Sequence, residues 1–266
     1  MPLTIATWNL KGSKGLDVTA VAAHLRAVGA DIVALQEVQR HQARALGLAL
    51  DARSVRWGFK HWPVRTWPEG MAVIGVSFAA RVRTRALSAR WRPWSSRRRV
   101  FQLATFAPDV SGEGATPLVL ANVHLSTRRN EQRRAGEVTA VLAAVRSGPG
   151  LPVVIGDFNE RPGGAIFEGF AAAGLRDAWD DVRPGVPEAE KTTYWPRWKA
   201  GTSAAPSQRL DYLMIPAAVT VAGVVVPRPG DEGFARFATL SDHLPLAATL
   251  DVATGAPEAP GAPGPA

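Results

Sequence analysis

Cysteine is absent from the 266 residues. Its absence excludes a disulfide framework, a thiolate-ligated zinc site and a cysteine nucleophile. Long hydrophobic runs are missing as well. None approaches the roughly 18 residues that a membrane span needs, so no stable membrane insertion is expected. Residues 1–15 read as a strand followed by a Lys/Gly turn rather than as a secretory leader, and cytoplasm is the expected compartment. Lysine is scarce, supplying five of 31 basic residues, so the positive charge is almost entirely arginine.

What remains is the composition of a globular chain. Hydrophobic residues make up 46% and charged residues 20%, enough apolar side chain to fill a core. The formal net charge of +8 is unevenly spread. Residues 81–99 hold eight arginines (Arg81, Arg83, Arg85, Arg90, Arg92, Arg97, Arg98 and Arg99) and no acid, and elsewhere bases and acids balance. Such a stretch reads either as a patch facing a polyanion or as a solvated face in an arginine-rich proteome.

No internal repeat and no internal linker divides the chain. One domain is expected over residues 1–251. A Pro/Gly/Ala-rich tail, VATGAPEAPGAPGPA over 252–266, is expected to be disordered. Runs of β type recur at 3–8, 32–35, 71–78, 100–106, 118–123, 153–155, 210–215, 219–226 and 244–250, mostly bounded by turn residues. Val18, Val21, Ala22, Leu25 and Val28 share one helical face that Gly29 can end. Ala135, Val138, Leu142 and Val145 repeat the pattern before Gly148, and 165–173 is a shorter helix candidate ending at Gly174. About nine strands with interspersed helices predict an α/β sandwich of two packed sheets with helices outside. Trp8 and Trp179 read as core.

The polar residues suited to chemistry fall at the ends of hydrophobic runs. TIATW ends in Asn9, DIVALQ in Glu37, PLVLANV in His124 and LPVVIG in Asp157, with Asn159 two residues on. Asp211 lies in RLDYLMI, and Asp242–His243 precedes LPLAATL. Strand ends fix the backbone while the side chain reaches solvent, which suits catalytic sites. Carboxylate and amide oxygens without cysteine suit a hard cation such as Mg²⁺ or Mn²⁺. Two histidines beside them add acid/base or electrostatic help, a combination that fits phosphoester hydrolysis. Each residue alone has a blander explanation: a turn former at Asp157 and Asn159, a surface acid at Glu37, a buried structural histidine at His124. The ordered set is what carries the chemistry.

TWNLKG (7–12), LQEV (35–38), NVHLS (122–126), GDFNE (156–160), RLDYLM (209–214) and SDHLPL (241–246), with the helix motif EQRRAGEV (131–138), resemble the endonuclease/exonuclease/phosphatase superfamily. They span nearly the whole chain before the tail. The resemblance implies a four-layer α/β sandwich, two packed mixed β-sheets flanked by helices, and divalent-metal-dependent phosphoester cleavage. By match, Glu37 resembles the principal metal carboxylate, with Asn9 and Asp242 near the same ion. Asp157 and Asn159 resemble the pair that positions the attacking water or holds a second metal. His243 resembles a general base or charge stabiliser, and Asp211 its partner on the other ring nitrogen. The resemblance leaves the proton acceptor open between His243 and Asp157. His124 resembles the histidine of the deoxyribonuclease I, sphingomyelinase, inositol-phosphatase and deadenylase branches. Glu69 is the candidate partner for it, against the plainer reading of a turn acid after Pro68.

Three stretches mix cations with aromatics, at 56–67, 89–101 and 193–199, and hold seven of nine tryptophans. Cations can track phosphates and indoles can stack on bases; equally, the tryptophans can be core with arginines lying over apolar surface. Arg97, Arg98, Arg99, Trp195, Arg197 and Trp198 are the substrate-binding candidates. The first expectation is a nuclease with nucleic acid as partner and a monomer as the favoured state. A phosphatase or phospholipase C-type enzyme comes second, and a binding module without catalysis third.

Overall fold

The computed structural model describes residues 2–12, 15–62, 68–87, 95, 98–106, 116–127, 130–182, 184–195 and 207–252. Within them two six-stranded sheets form. The first runs in the order β11 (Val219–Val225), β12 (Leu246–Val252), β1 (Pro2–Asn9), β2 (Ile32–Gln39), β4 (Glu69–Gly75), β3 (Ser54–His61). The second runs β5 (Ala80–Ala86), β6 (Val100–Phe106), β7 (Leu118–His124), β8 (Leu151–Asp157), β10 (Asp211–Pro216), β9 (Leu175–Asp177). The helices are α1 (Val18–Ala27), α2 (Arg40–Ala49), α3 (Glu131–Val145), α4 (Ile166–Ala172), α5 (Ala178–Val182) and α6 (Phe234–Leu240).

Period-2 alternation gives each central strand two apolar faces. Leu3, Ile5, Ile32 and Val73 face Leu120, Val153, Ile155 and Leu213 between the sheets. Trp8, Val33 and Leu35 turn outward under Val21, Leu25 and Leu46 of α1 and α2. Val123, Val154 and Tyr212 turn outward under Val141 and Val145 of α3 and Phe170 of α4. The result is the four-layer sandwich, helix–sheet–sheet–helix.

Both sheets are mixed. Each contains one parallel pair joined by a helix: β1–α1–β2 and β7–α3–β8. Asp17 caps α1 by accepting from the Ala20 amide at 2.9 Å, and Gly29 ends it in the left-handed region at φ 66. The carboxyl ends of both parallel pairs lie on the same edge of the molecule, where the antiparallel strands β10 and β12 begin. That edge is where polar side chains converge.

The expected fold is present, with more strands than the nine predicted. β3, β5 and β9 were not among the predicted runs, and all three are edge strands. Edge strands carry charge to block further pairing, which breaks the apolar signal: Arg81, Arg83 and Arg85 stand exposed along β5. α2, α5 and α6 are likewise additional. Val252, the first residue of the expected tail, pairs with Val219 in β12. The rest of the tail lies outside the described residues.

Candidate active site

Five strands bring polar groups to the shared edge at their ends, and β2 adds Glu37. Asn9 ends β1, His124 ends β7, Asp157 ends β8, Asp211 begins β10, and Asp242 and His243 precede β12. Register aligns three of them: His124 lies opposite Asp157, and Asp157 opposite Asp211. Glu37 is placed differently. Between Leu35 and Val38 the β2–β4 register slips, and Glu37 takes φ 51. A bulge of this kind re-aims a side chain out of the sheet. Here it turns the Glu37 carboxylate to the cleft; Asn159, at φ 51, is a second strained position there.

Close backbone approach is needed beneath the site. A Cβ on Gly156 would lie 2.2 Å from the Val123 carbonyl oxygen, and its φ is 136, so only glycine fits before Asp157.

The cleft, of about 470 Å³, is floored by Asp157 and lined by Glu37, His124, His243, Arg99 and Tyr194 among others. Asp157 accepts from Asn9 Nδ2 at 3.0 Å and from the Asn159 amide at 2.9 Å. Its Oδ2 lies 3.6 Å from His124 Nε2 and 3.8 Å from His243 Nε2. Burial raises the Asp157 pKa, only partly offset by the His243 charge.

The two histidines differ in charge for reasons visible around them. His243 Nδ1 lies 2.8 Å from Asp211 Oδ2, and Thr193 Oγ1 donates to that same oxygen at 2.6 Å. Burial works against the charged ring, but Asp211 and Asp157 outweigh it and raise the His243 pKa. The protonated ring is thus favoured at His243, whose Nε2 faces Asp157. At His124, burial acts with the charges of Lys60 and Arg99, and the pKa falls well below the ordinary value. Lys60 Nζ stands 3.4 Å from His124 Nδ1. An ammonium only donates, so Nδ1 accepts and the hydrogen sits on Nε2, between Asp157 and Glu37, whose Oε1 is 3.8 Å away.

Lys60 itself donates to Glu69 Oε1 at 2.8 Å, and His61 Nε2 approaches the same oxygen at 3.3 Å. A register slip between Phe59 and His61 in β3 lets neighbouring side chains both reach it. Burial opposes ionisation of Glu69, but His61 and Lys60 prevail and hold its pKa down to about 2.

Helix α3 clamps the loops that follow β7 and β8. Glu137 accepts from the Ser126 amide at 2.8 Å and its hydroxyl at 2.7 Å; Arg134 pairs with Glu160 and donates to the Thr127 carbonyl at 2.8 Å. Beneath the site, Gln36 Nε2 bridges Thr7 Oγ1 and Asn122 Oδ1 at 2.9 and 2.7 Å, tying the two sheets together.

The sequence model of the endonuclease/exonuclease/phosphatase family matches residues 6–243. The chain belongs to this family. Its members are phosphoester hydrolases and generally use divalent metals. No curated protein matches the chain in sequence. Among solved structures, an endonuclease/exonuclease/phosphatase from Beutenbergia cavernae shares 23% identity, covers 97% of this chain and 73% of its own, and superposes with a TM-score of 0.73. D. rerio TDP2 in complex with a single-stranded DNA product shares 18% identity over 94% and 99% of the two chains at a TM-score of 0.70. A mannosyl-6-phosphatase from Bacteroides thetaiotaomicron shares 17% identity over 94% and 99% at 0.69. These likenesses establish the fold.

Of the residues expected from the sequence, Asn9, Glu37, His124, Asp157, Asn159, Asp242 and His243 line one cleft, and Asp211 stands behind His243. Arg99 joins them: it is buried, donates from Nε to the Leu125 carbonyl at 3.2 Å and lines the cleft. Arg98 turns the other way, donating to the Lys60 carbonyl at 2.5 Å with its guanidinium over the Phe59 ring. Trp195 is a correction. Side chains alternate along the extended segment at Tyr194, so Tyr194 faces the His243 ring at 4.8 Å while Trp195, 5% exposed, packs on Phe234 in the core. It presents no face to a substrate. Arg97, Arg197 and Trp198 lie outside the described residues. Glu69 reaches towards His124 through Lys60, which the sequence reading did not single out. Nor did it single out Lys11, Gln36, Asn122, Thr193 or Tyr194. Among the described residues no helix is long and apolar enough to cross a membrane.

Glu37, Asn9 and Asp242 offer only oxygen donors, the set a hard divalent cation takes. All three line the cleft, and among the described residues no group of three or more His, Cys, Asp or Glu is arranged to hold an ion. Mg²⁺ typically binds through one or two carboxylates and keeps its waters, so these residues fit it. Lys11 pairs with Asp242, which puts a cation on the carboxylate such an ion would take.

Proposed function

We propose that the chain is a divalent-metal-dependent nuclease that hydrolyses phosphodiester bonds of DNA or RNA. The observation that carries this reading is the buried Asp157 carboxylate, 3.6 and 3.8 Å from two imidazole Nε2 atoms, in a cleft flanked by Arg99 and Lys11. A carboxylate whose pKa is raised by burial is suited to take a proton from water near neutral pH. Asp157 is accordingly the proton acceptor, and its bonds from Asn9 and Asn159 hold it in place. His243, kept as an imidazolium by Asp211, stands opposite the charge that develops on the phosphoryl oxygens. Neutral His124 directs its Nε2–H at the same region, and Arg99 binds the phosphate. A divalent cation held by Glu37, Asn9 and Asp242 would add Lewis-acid stabilisation of that charge.

A polymeric, anionic substrate is supported by the net charge of +8, by Arg99 in the cleft, and by the single-stranded DNA product held by a protein of the same fold. The test is cleavage of plasmid, single-stranded DNA and RNA with Mg²⁺ or Mn²⁺, against EDTA and a His243→Ala control. Metal-dependent cleavage lost in the variant is the expected result. A folded, metal-loaded protein that leaves all three intact refutes the nuclease reading and directs attention to inositol phosphates and phospholipids.

A further inference from the structure

Outside the cleft, on the outer face of the first sheet, a groove runs between α2 and the edge strand β3. Its floor is aromatic. Trp57 and Phe59 have ring centroids 6.2 Å apart, and Phe59 and Trp62 5.6 Å apart. Trp62 is 54% exposed, an unusual setting for an indole without a role in recognition. Its rim is basic: Arg40 and Arg44, one helical turn apart on α2, stand exposed beside it. The volume here is about 670 Å³. Past Trp57 the groove continues for about 510 Å³ along Arg44, Leu48 and Arg56. Among the described residues no acidic side chain lines either part.

The groove begins at the catalytic edge. Arg40 is three residues beyond Glu37, and Trp62 follows the Lys60–His61 pair that reaches Glu69. Arg98 bridges the two regions: its guanidinium lies 5.4 Å from the Phe59 ring centroid, and the next residue, Arg99, lines the cleft. From Arg40 to Leu48 the helix advances roughly 12 Å, room for two or three nucleotides.

We infer that this groove is a track for single-stranded nucleic acid beyond the scissile bond, with bases stacked on Trp62 and Phe59 and phosphates on Arg40 and Arg44. The inference rests on the nuclease reading and names where that substrate leaves the cleft. Charge complementarity selects an anionic occupant, and the flat rings at the floor select one with π-faces. Stacking on an aromatic side chain contributes about 1–3 kcal/mol per base, and each phosphate contact adds to the salt dependence.

The experiment compares wild type with Trp62→Ala and Arg44→Glu. Binding of a labelled 20-nucleotide oligothymidylate is measured by anisotropy in EDTA over a series of salt concentrations. Hydrolysis of bis(p-nitrophenyl) phosphate is measured with Mn²⁺. Trp62→Ala should weaken the oligonucleotide roughly 5- to 100-fold. Arg44→Glu should weaken it and flatten the salt slope by about 1. Both should hydrolyse the small diester as wild type does. Unchanged oligonucleotide affinity in both variants overturns the track, as does polyglutamate competing as well as oligothymidylate at equal charge. A wild-type protein that binds the oligonucleotide through these residues but never cleaves it with metal refutes the nuclease reading and leaves the track standing.

Discussion

Replacing Glu69 by Gln tests whether the buried pair behind His124 is ionised. The folded-state pKa of Glu69 is about 2, against an ordinary value of 4.5. Each unit is worth about 1.4 kcal/mol, so the ionised carboxylate contributes roughly 3 kcal/mol to stability at neutral pH. The folded pKa lies below the unfolded one. The contribution is therefore fully present above pH 4.5 and is lost as pH falls towards 2. Urea unfolding of wild type and Glu69→Gln at pH 7, 5, 4 and 3 reads it directly. The stability difference should shrink to about half of its pH-dependent part by pH 3. Asp157 titrates with the opposite sign, its pKa being raised, but both chains share it and it cancels in the difference. Any cost of leaving Lys60 without its carboxylate is the same at every pH in this range. A difference that does not change with pH would refute the ionised pair.

The remaining expectations concern the site itself. Lys60→Met removes the donor at His124 Nδ1, frees the ring to change tautomer and should lower kcat on a small diester about tenfold with KM little altered; a matching loss in KM alone would place Lys60 in binding instead. Glu37→Gln should cut metal-dependent hydrolysis roughly 10²–10³-fold with the unfolding midpoint unchanged, and retained activity with ordinary metal response would remove Glu37 from the centre. Asp211→Asn keeps a hydrogen-bond partner for His243 but not its charge, so rate assays should show a loss of about 10–100-fold, smaller than that of His243→Ala. Asn122→Leu strands the Leu35 and Ala72 carbonyls that its amide satisfies at 3.1 and 3.2 Å, and urea unfolding should register a loss of roughly 2 kcal/mol or more.

The layers were legible because central strands bury both faces. Runs such as LPVVIG and PLVLANV carry an uninterrupted apolar signal, and the nine predicted runs correspond to central strands or to the neighbours they pair with. SVRWGFKH and ARVRTRA did not read as strands, because an edge strand mixes large cations into its pattern. α2 was invisible for another reason. It starts directly after β2 with no turn residue between, capped by a Gln39–Gln42 pair that lacks the usual Ser, Thr or Asp signal.

The site was legible at the ends of strands and illegible at their irregularities. Asn9, His124 and Asp157 sit where an apolar run stops, so sequence alone marks them. Lys60 sits inside WGFKHW, where every neighbour is basic or aromatic and the natural reading is a solvated, nucleic-acid-facing stretch. Its inward direction depends on the register slip between Phe59 and His61, and a slip of one residue moves a side chain to the opposite face. No local pattern announces that slip. With Lys60 set between Glu69 and His124, the lysine charge adds to burial in lowering the His124 pKa, where a carboxylate would have raised it. Asp211 and Asp157 raise the His243 pKa against its burial, whereas burial and then Lys60, standing where an acid was expected, lower that of His124.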